Sequence, residues 1–177
     1  MPELAEVEFF RKRWHQAAIG ERVVRVLTHD TKKLLRKLDL PAFRRALTGA
    51  RLTSSEAAAK QMLFRFGTKR WLGIHLGMSG ELSVQPADYV PGKHDHLVIV
   101  TGNHALVFND PRMFGSVDFH VGREPPQWWS RIAPAILSPA FTVAAVSAFL
   151  KRRARAPIKA VLLMQERFPG VGNWMAD

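Results

Sequence analysis

The sequence predicts a mainly β protein with flanking helices: an antiparallel β-sandwich as N-terminal domain, followed by an incomplete helical domain. Three observations predict it. Short strand-like runs fill residues 22–120, separated by turn signals rich in Gly, Pro and Asn. Apolar residues at helical spacing are confined to the two ends of the chain. A Pro-rich stretch, Gly122-Arg-Glu-Pro-Pro-Gln-Trp-Trp-Ser130, separates the two patterns. The expected organisation is a sandwich domain over 1–121, a linker over 122–137, and a partial helical domain over 138–177.

Residues 3–19 read as a helix. Leu4, Val7, Phe10 (or Phe9), Trp14, Ala17 and Ala18 recur at its period, acids come early and Arg11, Lys12 and Arg13 later, and Gly20 stops it. Strands are expected at 22–27, 50–59, 62–66, 71–76, 81–84, 96–100, 105–109 and 116–120, with a short helix at 41–47. Many short strands at this spacing argue for a sandwich or barrel. Beyond the boundary, Ser138-Pro139 opens a helical segment that ends in Lys151-Arg-Arg153. Pro157 starts a second helix through Gln165, and Gly170-Val-Gly172 breaks it. Asn173 is then a candidate N-cap for a third helix beginning at Trp174. Four residues later the sequence stops, so a two-domain protein cut inside its helical domain is the expectation.

Hydrophobic residues at 47% allow a buried core and exclude a disordered chain. The 26 Lys and Arg against 15 Asp and Glu give a net charge of +11. Such a balance points to a polyanion, with nucleic acid as first candidate. The alternative is positive charge that only opposes aggregation. With no cysteine, disulfides, thiolate catalysis and a Cys-ligated zinc are excluded within these residues. The acidic N-terminus has no apolar core of a secretory signal. No run approaches the roughly 18 apolar residues of a membrane span. A cytoplasmic protein with no membrane partner is expected.

Pro2 carries potential chemistry. Methionine aminopeptidase normally removes Met1 before proline, leaving a secondary amine that is nucleophilic when neutral and can form an iminium ion with a sugar C1′. Glu3 and Glu6 stand close enough in sequence to move protons. On local chemistry alone, Pro2 and Glu3 equally well just begin a helix.

The wider pattern bears on that choice. Pro2-Glu-Leu-Ala-Glu-Val-Glu8, His75-Leu-Gly-Met-Ser-Gly80, Lys93-His-Asp-His96, Asn109-Asp-Pro-Arg-Met-Phe-Gly115, Pro157-Ile-Lys159 and Gly170-Val-Gly-Asn-Trp-Met-Ala-Asp177 occur in this order. Each is short; together they span residues 2–177. The chain resembles the formamidopyrimidine-DNA glycosylases, over their N-terminal sandwich and the first part of their helix–two-turn–helix domain. Ala5 stands where the family has a second proline, and Met113 where it has a second arginine.

The resemblance implies a bifunctional DNA glycosylase and AP lyase that removes oxidised purines and then performs β-elimination. It implies Pro2 as Schiff-base nucleophile, Glu3 as proton donor in ring opening, Glu6 in support, and Lys60, on a strand, in elimination. Flipping a base out leaves a gap that an apolar wedge and a cation can fill. The resemblance puts that task on Met78, Arg112 and Phe114. By residue type alone, Phe114 equally fits the core and Arg112 a pair with Asp110. DNA contacts are implied for His75, His94, Lys159 and Asn173, and Arg155 belongs to a basic cluster on the same domain. The implied partner is duplex DNA with a damaged base or abasic site. His94 and His96 flank Asp95 without a third ligand at useful spacing, so no metal is expected. Zinc belongs only to the family's C-terminal finger, which lies beyond these residues.

Two other readings remain: a non-catalytic DNA-binding module, and a pseudo-enzyme remnant. If the helical domain is incomplete, Phe149, Leu150, Leu162 and Leu163 should lack partners. Self-association through 138–177, or a disordered C-terminus, would follow.

Overall fold

Trp14 shows how the first helix is tied to the sheets. Helix α1 (Leu4–Ala18) buries Val7, Trp14 and Ala18. The Trp14 indole N–H donates to the Ser83 carbonyl at 2.9 Å, and its ring lies 5.2 Å from that of Phe64. One turn before Trp14, Arg11 makes two hydrogen bonds to Glu8 and reaches the Ser55 hydroxyl at 2.7 Å. Glu3 is the N-cap, and its backbone N–H donates to the Glu6 carboxylate at 2.9 Å. This is a capping box, in which Glu6 satisfies a donor that the helix itself leaves open. The computed structural model describes residues 2–29 and 33–177. Met1, whose removal would free the Pro2 amine, lies outside them.

Eight strands follow: β1 (Arg25–Thr28), β2 (Leu52–Ala58), β3 (Gln61–Phe66), β4 (Arg70–His75), β5 (Glu81–Pro86), β6 (Asp95–Val100), β7 (His104–Asn109) and β8 (Ser116–Val121). They form two four-stranded sheets, ordered β1-β6-β7-β5 and β2-β3-β4-β8, antiparallel throughout. Met62, Phe64 and Phe66 of β3 and Leu72 and Ile74 of β4 meet Leu97, Ile99, Leu106 and Phe108 of the other sheet. Alternation on β3 follows the two-residue period of a strand. Strands β6 and β7 are apolar on both faces, because Val98, Val100, Ala105 and Val107 pack outward beneath Leu27, Ala87 and Tyr89. Helix α2 (Leu40–Leu47) is capped by Asp39, whose carboxylate accepts from Ala42 N–H at 3.0 Å. It turns Phe43 onto Phe119, with ring centroids 4.9 Å apart. The sandwich with flanking helices agrees with the sequence expectation.

The 122–137 segment is more ordered than a linker. It contains a one-turn helix, α3 (Gln127–Ser130), and Gly122 accepts the Trp71 indole N–H at 2.9 Å. The edge of the Trp128 ring reaches Gly73, where a β-carbon would fall 2.5 Å from its Cζ2. Gly73→Ala should therefore cost about 1–3 kcal/mol, the usual range for overpacking. It should also lift Trp128 off the sheet, read as a red-shifted tryptophan emission and faster tryptic cleavage at Arg131.

The helical part holds α4 (Val143–Lys151), α5 (Ile158–Leu162) and α6 (Asn173–Ala176). The first begins later than the Ser138 start predicted, because the Thr142 hydroxyl caps it through Ala145 N–H. The expectation that Phe149, Leu150, Leu162 and Leu163 lack partners is wrong for the core of this segment. Phe149 is buried with Val161, Phe168 and Val171, and Leu150 and Leu162 pack against them. Arg153 stacks on the Phe149 ring at 3.7 Å and pairs with Glu166. Short loops fold the pieces back into a small core of their own. Among the described residues, no helix is long and apolar enough to cross a membrane.

Candidate functional site

The Glu3 carboxylate crosses the molecule to the last helix. Its oxygens accept from the backbone N–H groups of Trp174 at 2.8 Å, Met175 at 3.0 Å and Gly172 at 3.1 Å. These are donors that the first turn of α6 cannot satisfy itself. Asn173 was expected as the cap; the N-cap is Gly172, and Glu3 performs the capping from 169 residues away. A β-carbon on Gly172 would fall 2.3 Å from Glu3 Oε1, so only glycine lets the carboxylate in. Gly170, at φ +90°, turns its carbonyl to Leu4 N–H at 3.3 Å. A four-residue helix does not persist alone; α6 exists because Glu3 holds its end. Burial alone would push the Glu3 pKa up. The three N–H bonds and the nearby Lys60 charge outweigh it and hold the carboxyl below its ordinary value.

Lys60 was placed on a strand and read as solvated if it has no role. It lies in the β2–β3 turn instead and is buried, at 8% exposure. The turn needs Ala59 at φ +55°, a strained conformation for a residue with a side chain. Burial lowers the Lys60 pKa while Glu3 pulls it back up. At the end of β4, His75 Nδ1 accepts the Gly77 backbone N–H at 3.0 Å. Burial lowers the His75 pKa, and Lys60 lowers it further. Lys60, His75 and Asn173 line one open cleft of about 900 Å³, together with Arg131 and Gln165. On the other side of Asn173, Glu3, Ala5 and Trp174 line a smaller hollow of about 350 Å³. Pro2, next in sequence to Glu3, is half-buried and is not among the residues lining either one.

A second group forms from two loops. Met78 and Phe114 are 45% and 58% exposed, too open for core residues. The Arg112 guanidinium lies over the Phe114 ring at 5.0 Å. Gly77, at φ +64°, lets the two backbones touch, since a β-carbon there would be 2.3 Å from the Phe114 carbonyl carbon. The expected alternative pair between Arg112 and Asp110 does not describe Asp110. Its carboxylate is fully buried and accepts from the Ser79 hydroxyl at 2.7 Å and from Gly115 N–H at 2.7 Å. Its carbonyl meets His96 Nε2 at 2.8 Å, and its N–H donates to His94 O at 3.0 Å. Asp110 thereby fastens the Met78 loop, the Phe114 loop and the start of β6 into one unit.

Other predicted residues are not drawn into the cleft. His94 is half-buried at the mouth of β6, Arg155 is exposed between α4 and α5, and Lys159 pairs with Asp177 at the end of α6. Glu6 serves as a capping partner. Asp110, Ser79 and Gly172 were missed as site residues. The signal for Gly172 was present in Gly170-Val-Gly172, but a pair of glycines reads locally as a helix break. Among the described residues, no three His, Asp or Glu side chains gather as metal ligands would.

Residues 1–117 match the family described as "Formamidopyrimidine-DNA glycosylase N-terminal domain". The chain belongs to this family. It is 37% identical to the formamidopyrimidine-DNA glycosylase of Laribacter hongkongensis, covering 100% of this chain and 65% of that protein. It is 36% identical to that of Xanthomonas euvesicatoria, covering 98% and 63%. The chain thus spans just under two thirds of the length of these glycosylases. In fold it is similar to Lactococcus lactis Fpg in complex with DNA containing an abasic site, with TM-score 0.85, 24% identity, and 99% of this chain and 64% of that one covered. Fpg of the same organism bound to Fapy-dG DNA gives TM-score 0.83 over 97% and 64%. Relative to the glycosylase pattern, Met113 takes φ +55° at the tip of the exposed loop, and Ala5 is an exposed position in the first turn of α1.

Proposed function

We propose that the chain carries the nucleophilic half of a DNA glycosylase and AP lyase that acts on oxidised purines. The observation that supports it is the Glu3 carboxylate, next in sequence to Pro2 and electrostatically coupled to a buried Lys60. With Met1 removed, the Pro2 amine attacks C1′ of the damaged nucleotide and the base departs. The attacking nitrogen then carries a surplus proton. Glu3, held as a carboxylate, takes that proton and passes it to the ring oxygen as the sugar opens. Its lowered pKa keeps it ionised, able to take the proton, and makes it a ready donor once it holds one. The iminium ion makes the C2′ hydrogens acidic, and Lys60, eased toward its neutral form by burial, serves in the elimination that releases the 3′ phosphate. Met78, Arg112 and Phe114 fill the space left by the flipped nucleotide. His75 and Asn173 at the cleft, and His94, Arg155 and Lys159 around it, meet the phosphates of duplex DNA, consistent with the net charge of +11.

Borohydride reduction of the protein with duplex DNA containing an abasic site tests this reading. The expected result is a covalent adduct mapped by mass spectrometry to Pro2, in protein whose intact mass lacks Met1. An adduct on a lysine, or none from protein without Met1, overturns it.

A further inference from the structure

The Met78 turn, held from beneath by the Ser79–Asp110 bond and closed by the Gly80 N–H to the Leu76 carbonyl, is tied to the cleft by the His75 imidazole. A backbone N–H can only donate, so the 3.0 Å contact from Gly77 N to His75 Nδ1 requires a bare lone pair on Nδ1. The proton of neutral His75 is then on Nε2. With Nδ1 taken, Nε2–H is the polar group that His75 has left for the cleft it lines, and no other residue described accepts it. We propose that His75 is a positioning residue that couples the two halves of the site: Nδ1 holds the turn presenting Met78, while Nε2–H donates to DNA in the cleft. A phosphate on Nε2–H polarises the ring and strengthens its hold on Gly77. Gripping the backbone thus stiffens the wedge. This rests on the DNA-cleft reading above.

The surroundings keep the ring in this state. Lys60 faces it from the β2–β3 turn, with Glu3 behind; Arg131 and Glu166 line the same cleft. Its strand neighbours in register, Gln61 and Ser116, do not titrate. In the adjoining loop, the Asp110 carboxylate is turned to Ser79 and Gly115. Protonation of Nδ1 would set N–H against N–H and open the turn at Gly77. Among the described residues Met78 is not packed against a buried core, so this turn sets its direction.

Two substitutions separate the roles, because the asparagine side chain places an acceptor near the Nδ1 position and glutamine places a donor near Nε2. In isotope-labelled protein, the His75 ring should show the Nε2–H tautomer with a through-hydrogen-bond coupling from Gly77 N–H to Nδ1. An Nδ1–H tautomer overturns the proposal. His75→Asn should leave the Met78 methyl resonance in place but bind duplex with a tetrahydrofuran abasic analogue about tenfold more weakly, the loss of one hydrogen bond to a charged group. His75→Gln should keep affinity within about threefold, a smaller loss than that of such a bond. It should shift the Met78 methyl and reduce the fluorescence response of 2-aminopurine opposite the gap. Equal losses in both variants on both readouts, or an unmoved Met78 in His75→Gln, overturn it. Should the unsubstituted protein fail to bind the duplex, the DNA-cleft reading fails, and tautomer and Met78 shift alone still decide the role of His75 in the turn.

Discussion

Asp110→Ala is expected to lower the unfolding free energy by about 3–4 kcal/mol, the sum of two hydrogen bonds to a charged group partly offset by relaxation. The carboxylate is wholly buried and bridges Ser79 and Gly115. Alanine leaves the Gly115 N–H without an acceptor and opens a void between two loops that touch through Gly77. Urea denaturation measures the loss as a lower midpoint with unchanged slope. The functional consequence is separate. Met78, Arg112 and Phe114 are exposed and owe their arrangement to the loops beneath them, so the 2-aminopurine response to a gapped duplex should disappear. Asp110→Asn should recover more than half of the stability, since an amide can accept from Gly115 and donate to Ser79. A loss under about 1 kcal/mol for alanine, the size of an ordinary neutral hydrogen bond, would mean that the loops hold without this bridge.

Glu3→Gln is expected to free α6 and to stop the chemistry. One amide oxygen cannot replace two carboxylate oxygens that accept from Gly172, Trp174 and Met175. The loss is local and on the order of 2–3 kcal/mol, as for charge-assisted bonds. It should appear as faster amide exchange at these three residues, while the β-sheet amides stay protected. Borohydride trapping on abasic DNA should fall by about 100-fold or more, the usual contribution of acid–base catalysis. The pH dependence has a definite sign. The folded Glu3 carboxyl lies below its unfolded value, so its contribution is complete above the ordinary carboxyl range. It is lost as pH falls through the lowered folded value. Acid should therefore fray α6 in the unsubstituted protein, whereas in Glu3→Gln the fraying should be present at neutral pH and no longer depend on acid. Protected amides at Gly172 and Trp174 in Glu3→Gln would contradict the capping role.

Much of the fold was legible in the sequence. The β3 run alternates Met62, Phe64 and Phe66 inward, and β6 and β7 read as continuous apolar runs because both of their faces are covered. Gly20 ends α1 at φ +78° as a stop signal should. Errors fell where a local pattern has two outcomes. Thr142 and Ser138 both suit a helix start, and only the Ala145 N–H bond decides between them. Lys60 follows a strand-like run, yet the chain turns at Ala59 and buries it. Phe149 and Leu162 were expected to lack partners, because two of those that complete their cluster, Phe168 and Val171, reach them from a loop.

The strands, the helix at each end, the positive field and the order of the site motifs are written in the residues alone, because each depends on neighbours a few residues apart. How those motifs act together depends on contacts that form only in the folded chain. Glu3 became a helix cap for α6, Asp110 a bridge between two loops, and His75 a ring with one nitrogen committed. These states arise from hydrogen bonds between segments far apart in sequence, and from glycines whose missing β-carbons allow backbones to close. A buried polar group takes whichever partner folding brings to it, and no local periodicity records that choice.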